Sequence, residues 1–300
     1  MKVFITGATG FIGSRVASQL VEEGHSVTAL VRGLGKALPL KEKGVRLVHG
    51  TLDMLDVIRE EASKADGVAH LGFKHDFFRD NSLYGNAIET DCKVISAVVE
   101  VFKGTNKPLI MSGSAGTLGS VEGEVDESCP VPAFRPSRAT CEEVALEGGK
   151  AGVRTAVMRL PLHVFDSNGS MFQQIQERKA KQEGAASYIG EGNYQQSSVH
   201  VEDAAAAYVL ALQHTGCGDT FHIGHGKASG RELVAAIAAK LDISTASVSM
   251  EKAAELYGPL LAKRLSTTMV VNSSKARRQL HWEPKHPADA FLKCVAGTYS

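Results

Sequence analysis

The 300-residue chain has no apolar run approaching the roughly 20 residues that span a bilayer, and no basic and apolar leader precedes its first strand-like stretch. A soluble, unsecreted, cytoplasmic protein with no membrane partner is the expectation. There is no excess of either charge: 33 Lys and Arg balance 33 Asp and Glu, which leaves no field to gather nucleic acid or an anionic surface. The basic run Lys275 to Arg278 is read as a solvated helix face. Cysteine is sparse. Cys92, Cys129, Cys141, Cys217 and Cys294 are odd in number, widely spaced and without a Cys-x-x-Cys pair, so free thiols in a reducing compartment and no metal site are expected. Internal repeats, low-complexity tracts and long linkers are missing too. What is present is a globular composition, 43% hydrophobic and 22% charged, sufficient for a core in one large domain or two.

Thr6-Gly7-Ala8-Thr9-Gly10-Phe11-Ile12-Gly13 follows the apolar start Met1 to Ile5 and leads into a helical pattern from Ser14 to Glu23. The order is strand, glycine turn, helix. Gly7 suits the tight turn, Gly10 lets the backbone approach a pyrophosphate, and Gly13 lets the helix pack closely on the strand. The free N–H groups and the dipole of the helix start favour an anion. A dinucleotide is the natural ligand, because the strand before and the helix after set this pattern apart from a ligand-free glycine turn.

Strand-like segments recur between helical ones, at residues 2–6, 26–31, 45–49, 67–71, 108–112 and 154–160. Helical patterns cover 14–23, 54–63, 87–102, 138–147, 172–183 and 203–213. The alternation predicts an α/β fold with a Rossmann, doubly wound parallel sheet. After Pro161 long apolar strands become fewer, and Gly190 to Tyr194 reads as a turn. We therefore expect a nucleotide-binding domain over 1–161, one strand returning to it near 219–223, and a smaller interleaved substrate portion over 162–300.

The spacing Gly-x-x-Gly-x-x-Gly departs from the Gly-x-Gly-x-x-Gly of other Rossmann proteins and resembles the extended and atypical short-chain dehydrogenase/reductase superfamily, including its epimerase/dehydratase-like members. The resemblance runs the length of the chain. It implies an NAD(P)-binding domain, a smaller C-terminal substrate domain, and chemistry on a carbonyl, hydroxyl or sugar-like carbon. Thr6, Gly7, Thr9, Gly10, Phe11, Ile12 and Gly13 would cradle the cofactor. Leu52 resembles the adenine-packing residue, with Thr51 in place of the usual aspartate. His70 and Gly72, closing the fourth strand, would bring backbone against the cofactor, as would Ser112 and Pro161 further along. His70 reads equally as a buried, satisfied histidine.

The second strand ends Leu30-Val31-Arg32, where a carboxylate would bind the ribose of NAD and an arginine can pair with the extra phosphate of NADP. Val31 stands at the acidic position and Arg32 follows, so NADP(H) is preferred over NAD(H).

In the superfamily a Ser or Thr polarises the substrate oxygen, and a Tyr four residues before a Lys transfers the proton. Ser114 fits the first role, with Ser112 as runner-up. None of Tyr84, Tyr188, Tyr194, Tyr208, Tyr257 and Tyr299 has a Lys four residues later. Counting back from Arg159-Leu160-Pro161, the Tyr position falls on Phe134, the Lys on Arg138 and the following Glu on Glu142; a slip of four puts Arg138 and Glu142 on the dyad instead. The stretch Arg138 to Glu143 resembles a subgroup in which an Arg-to-Glu segment replaces the dyad. Arg138 would then carry charge near the ribose or substrate. Substitute proton donors are, in order, Tyr188, His163 and His75. Asp203 is expected to cap the helix from Ala204, and Trp282 to pack the C-terminal lobe.

The leading expectation is an NADP(H)-dependent oxidoreductase acting on a carbonyl-type or related unsaturated small molecule. A sugar-nucleotide epimerase or dehydratase, and a non-catalytic NADP(H)-binding regulatory protein, are the alternatives. Related proteins often dimerise through helices of the nucleotide domain, so the resemblance allows a homodimer and leaves the oligomeric state open.

Overall fold

The structure, a computed structural model, describes residues 1–78, 80–133 and 137–299. Seven strands make one sheet: β1 (Lys2–Thr6), β2 (Ser26–Val31), β3 (Arg46–His49), β4 (Gly67–His70), β5 (Pro108–Ser114), β6 (Arg154–Leu160) and β7 (Asp219–His222). Their order is β7-β6-β5-β4-β1-β2-β3, and every pairing is parallel. The chain winds from β1 to one side, then restarts at β4 and winds to the other. The switch point lies between β1 and β4, and open sheets of this kind bind ligands beyond the strand ends there.

Both faces of the sheet are covered, so its strands are apolar on both sides. Val3 and Ile5 point to one face, packing with α1 (Phe11–Glu22) and α5 (Val201–His214). Phe4 points to the other, toward α2 (Leu55–Lys64), α3 (Tyr84–Phe102) and α4 (Arg138–Lys150). Burying each such side chain stabilises by about 1.5–3 kcal/mol. Cutting the fully buried Phe102 to alanine would cost about 3–5 kcal/mol.

Beyond β6 the chain builds smaller units. Strands His163–Asp166, Gly169–Ser170, Gln195–His200 and Gly226–Ser229 form a four-stranded sheet, and Ala185–Ile189 pairs with Ser244–Val248. Val270–Val271 pairs with Glu124–Val125, which ties the second half to the segment following β5. No helix among the described residues is long and apolar enough to cross a membrane.

Several boundaries differ from expectation. α1 begins at Phe11 rather than Ser14, because extended Gly10 is its cap. α3 begins at Tyr84, three residues early. β5 continues two residues past Ser112, since Gly113 and Ser114 keep pairing with Arg159 and Leu160. Asp203 does not cap a helix: α5 starts at Val201 under His200, and the Asp203 carboxylate instead accepts from the Lys285 and His286 N–H groups at 2.8 and 3.1 Å. Trp282 is likewise placed differently, in the core between the sheet and α1 and α5, with its Nε1 donating to the Asp203 carbonyl at 2.8 Å.

Candidate functional site

The turn after β1 is shaped by backbone contact. Gly7 has φ of 74°, and a Cβ there would stand 2.5 Å from the Gly72 nitrogen, so the loops after β1 and β4 touch main chain to main chain. A Cβ on Gly13 would collide with the Gly7 carbonyl. Gly10 is different. Its Cβ would meet just the Gly7 oxygen, at 3.1 Å, so a side chain there asks for a small shift of that carbonyl rather than a rebuilt turn and would fill the cradle above the α1 start. No side chain caps α1, which leaves its first N–H groups facing that cradle. These residues fit a pyrophosphate. Thr6 and Gly72 are buried behind them, Leu52 lies against Gly72, and exposed Arg32 follows β2 with no ion pair among the described residues.

From this turn a chain of polar groups crosses the strand ends. The Thr6 hydroxyl accepts from the Gly72 N–H at 3.2 Å and meets His70 Nδ1 at 2.5 Å. His70 Nε2 bonds the Asp91 carboxylate at 2.8 Å. Asp91 sits on α3, nearly inaccessible, and its second oxygen is 3.5 Å from the Arg138 guanidinium. Burial raises the Asp91 carboxyl, yet Arg138 and the bonds from His70 and Cys141 outweigh it and hold the group below the ordinary carboxylate range. Arg138, at the start of α4, also donates to the Ser112 carbonyl and lies 4.1 Å above the Phe73 ring. The Ser112 hydroxyl ends the chain on the Tyr208 hydroxyl, at 2.7 Å.

Glu142, one turn along α4, turns the other way. It pairs with Arg159 at 2.8 and 2.9 Å beneath Gly113, where a Cβ would stand 2.7 Å from its carboxylate. Burial pushes the Glu142 carboxyl up by more than Arg159 pulls it down.

Ser114, the last residue of β5, is half-buried. Its oxygen accepts from the Gly116 N–H at 3.2 Å, which leaves its own proton for another acceptor. Pro161 follows Leu160, the register partner of Ser114. From Phe73, under the Arg138 guanidinium, an aromatic row runs through His75 and Phe77 to Tyr84, with centroids 5.4, 6.0 and 5.1 Å apart. Crowding of its ring and the Arg138 charge hold His75 below its ordinary value.

The other expected donors are placed elsewhere. Tyr188 packs under Arg231, 5.0 Å from ring centroid to guanidinium, and against Gly192. His163 is buried and uses both nitrogens, on Ser170 at 2.9 Å and Gln196 at 3.0 Å. Burial holds it at about 4, offset in part by Gln196. Phe134 lies outside the described residues. The sequence reading did not pick out Asp91, Tyr208 as the partner of Ser112, or the Tyr84 side chain. Among the described residues no group of three His, Cys, Asp or Glu could hold a metal.

Comparison with known proteins agrees with this layout. The profile of the NAD dependent epimerase/dehydratase family matches residues 3–224. An uncharacterized protein of Schizosaccharomyces pombe is 36% identical over 293 residues, covering 95% of this chain and 96% of its own. A 4-hydroxy-2-methyl-3-oxo-4-farnesyl-3,4-dihydroquinoline-1-oxide ketoreductase of Stigmatella aurantiaca is 24% identical over 75% of this chain and 69% of its own. In fold, the UDP-glucose 4-epimerase of Thermotoga maritima, solved with UDP-glucose, superposes with a TM-score of 0.77 at 20% identity, covering 99% of this chain and 98% of that one.

Proposed function

The chain belongs to the NAD dependent epimerase/dehydratase family of extended short-chain dehydrogenases/reductases, and from that premise we propose that it is an NADP(H)-dependent oxidoreductase reducing a carbonyl or related unsaturated group of a small molecule. The observation that carries the reading is the Ser114 hydroxyl, its oxygen oriented by Gly116 and its proton uncommitted, on the same sheet edge as the Gly10 cradle.

Thr6, Gly7, Thr9, Gly10, Phe11, Ile12 and Gly13 would hold the pyrophosphate, Leu52 and Gly72 the adenine side, and Arg32 the additional phosphate of NADP. Bound there, the nicotinamide supplies hydride. Ser114 donates to the substrate oxygen and so stabilises the charge that grows on it, whereas the Ser112 hydroxyl is already engaged by Tyr208. Arg138, fixed between Asp91, Ser112 and Phe73, keeps a positive charge behind that oxygen. Tyr84 and His75, on the aromatic row beside Arg138, pass the proton in our reading. Tyr188 and His163, engaged in the second half of the chain, act in our reading through packing and positioning.

The test is NADPH oxidation by the purified chain against aldehydes, ketones and cyclic imines, with NADH in parallel and cofactor binding followed in the same samples. Turnover favouring NADPH, lowered by Tyr84→Phe or His75→Gln, is the expected outcome. Tight NADPH binding without turnover on any of them would move the reading to a cofactor-binding regulatory protein.

A further inference from the structure

Arg264 lies in the last turn of the helix Pro259–Leu265, far along the chain from the sheet strands. Its guanidinium nevertheless returns to the turn after β5. A Cβ built on Gly116 would stand 3.3 Å from Arg264 Nη1 and 3.3 Å from Ser114 Oγ, so the cation and the hydroxyl border one small space. Tyr84 and Arg138 both act on it electrostatically.

No structural ion pair takes up this charge among the described residues. Among the described residues no carboxylate forms an ion pair with Arg264, and the two buried carboxylates of this sheet edge are committed, Asp91 to His70 and Arg138, Glu142 to Arg159. Nor does Arg264 serve its own helix end, because Gln196 Nε2 donates to the carbonyls of Arg264, Leu265 and Thr267 at 3.0, 3.2 and 3.1 Å. Gln196 is held in turn by His163. The pair pins the helix end from which Arg264 reaches. Burial weighs most against this cation, Tyr84 offsets part of that cost and the like charge of Arg138 adds to it, and since a guanidinium does not give up its proton, an anion would relieve what remains. The pyrophosphate cradle is two strands away, about 10 Å at the usual strand spacing, so the cofactor's own phosphates are served elsewhere.

We infer that Arg264 is a specificity residue that pairs with a carboxylate of the substrate, whose carbonyl oxygen is held by Ser114; the substrate class is a small oxo-acid. A planar fork meets a carboxylate through two parallel bonds, and the space beside Ser114 sets the carboxylate within a few carbons of the reacting carbonyl. The inference rests on Ser114 as the residue that holds the substrate oxygen.

The experiment compares pyruvate, acetoacetate and 4-oxopentanoate with their methyl esters, and with dihydroxyacetone phosphate, on the whole chain. NADPH oxidation is one readout, and calorimetric binding of the same probes with and without NADPH is the other. At least one acid is expected to exceed its ester by about tenfold or more in kcat/KM or affinity, as a charged hydrogen bond would give. Arg264→Met should bring that acid-to-ester ratio near one, and Arg264→Lys should restore part of it, with thermal unfolding confirming that both fold. Acids no better than their esters, a ratio unchanged in Arg264→Met, or a preference for dihydroxyacetone phosphate would each overturn the carboxylate assignment. If NADPH fails to bind, the reductase reading falls, and the cofactor-free titrations still decide Arg264.

Discussion

The loops after β1 and β5 stand at the same edge of one parallel sheet, yet they are built by different means. The first is fixed by backbone: Gly7 against Gly72, Gly13 against Gly7, and an uncapped helix start. The second is fixed by side chains drawn from α3, α4 and α5, namely Asp91, Arg138 and Tyr208, with Arg264 of the Pro259–Leu265 helix bordering it. A backbone-built site tolerates change in everything except its glycines. A side-chain-built site can be altered by a handful of substitutions while the glycine turn beside it stays as it is.

The largest expected effect separates two glycines of the first loop. Gly13→Val forces a collision with the Gly7 carbonyl and should cost about 3 kcal/mol or more of stability, with NADPH binding lost as the loop gives way. Gly10→Val meets one atom at 3.1 Å and should leave the urea midpoint within about 1 kcal/mol of the parent while NADPH affinity falls about a hundredfold. Equal destabilisation by both would mean that Gly10 serves packing rather than a ligand.

Asp91 tests whether the two loops are independent, because it bonds His70 and through it Thr6 on one side, and faces Arg138 on the other. Asp91→Asn leaves a largely buried cation without its carboxylate and should cost about 3–5 kcal/mol in denaturant unfolding. NADPH affinity and turnover should fall together. A loss of turnover alone would show that the cradle stands without the second region.

Acid should lower the stability of the fold as a whole. Burial holds His163 and His222 at about 4, reinforced at His222 by the Arg159 charge. The unfolded chain, with ordinary histidines near 6.5, therefore binds more protons than the folded one between pH 6.5 and 4. Stability falls as pH drops through that window, by about 3 kcal/mol for each ring, and is flat with respect to these groups above it. Urea midpoints at pH 7 and 5 should differ in this sense, and His163→Gln should remove about half of the difference.

The same contrast decides what the sequence made legible. The cradle could be read because its residues lie within eight consecutive positions and each glycine answers to a local rule. The winding of the sheet followed from alternating periods, and the position of Ser114 at a strand end followed from the apolar run before it. Asp91 carried a readable signal: it falls on the apolar stripe Ala87, Ile88, Val94, Ile95 and Val98 of α3, where an acid needs a buried partner. Arg264 carried none, since an arginine in the last turn of a short helix is ordinary and its reach to Gly116 depends on how the second half folds back. Tyr188 and His163 were chosen as chemically able residues, but the contacts that commit them to Arg231 and Gln196 are non-local.

The smallest effect distinguishes two neighbouring serines. Ser112 and Ser114 differ by two positions on one strand, so their side chains share a face, and sequence alone ranks them by position. The hydrogen bonds rank them by use. Ser112 spends its hydroxyl on buried Tyr208, whose phenol is pushed well above its ordinary value by burial despite that bond. Ser112→Ala should therefore cost about 1 kcal/mol of stability, the net worth of such a bond with its partner left buried, and should change turnover little. Ser114 gives up a bond from a part-exposed turn and keeps a proton to donate. Ser114→Ala should leave the unfolding midpoint and NADPH affinity near the parent values and lower kcat about 10²- to 10³-fold, as loss of one oxyanion donor does elsewhere. If the two variants exchanged these behaviours, the donor to the substrate oxygen would be Ser112, and the space that Arg264 borders would lie beside the chemistry rather than at it.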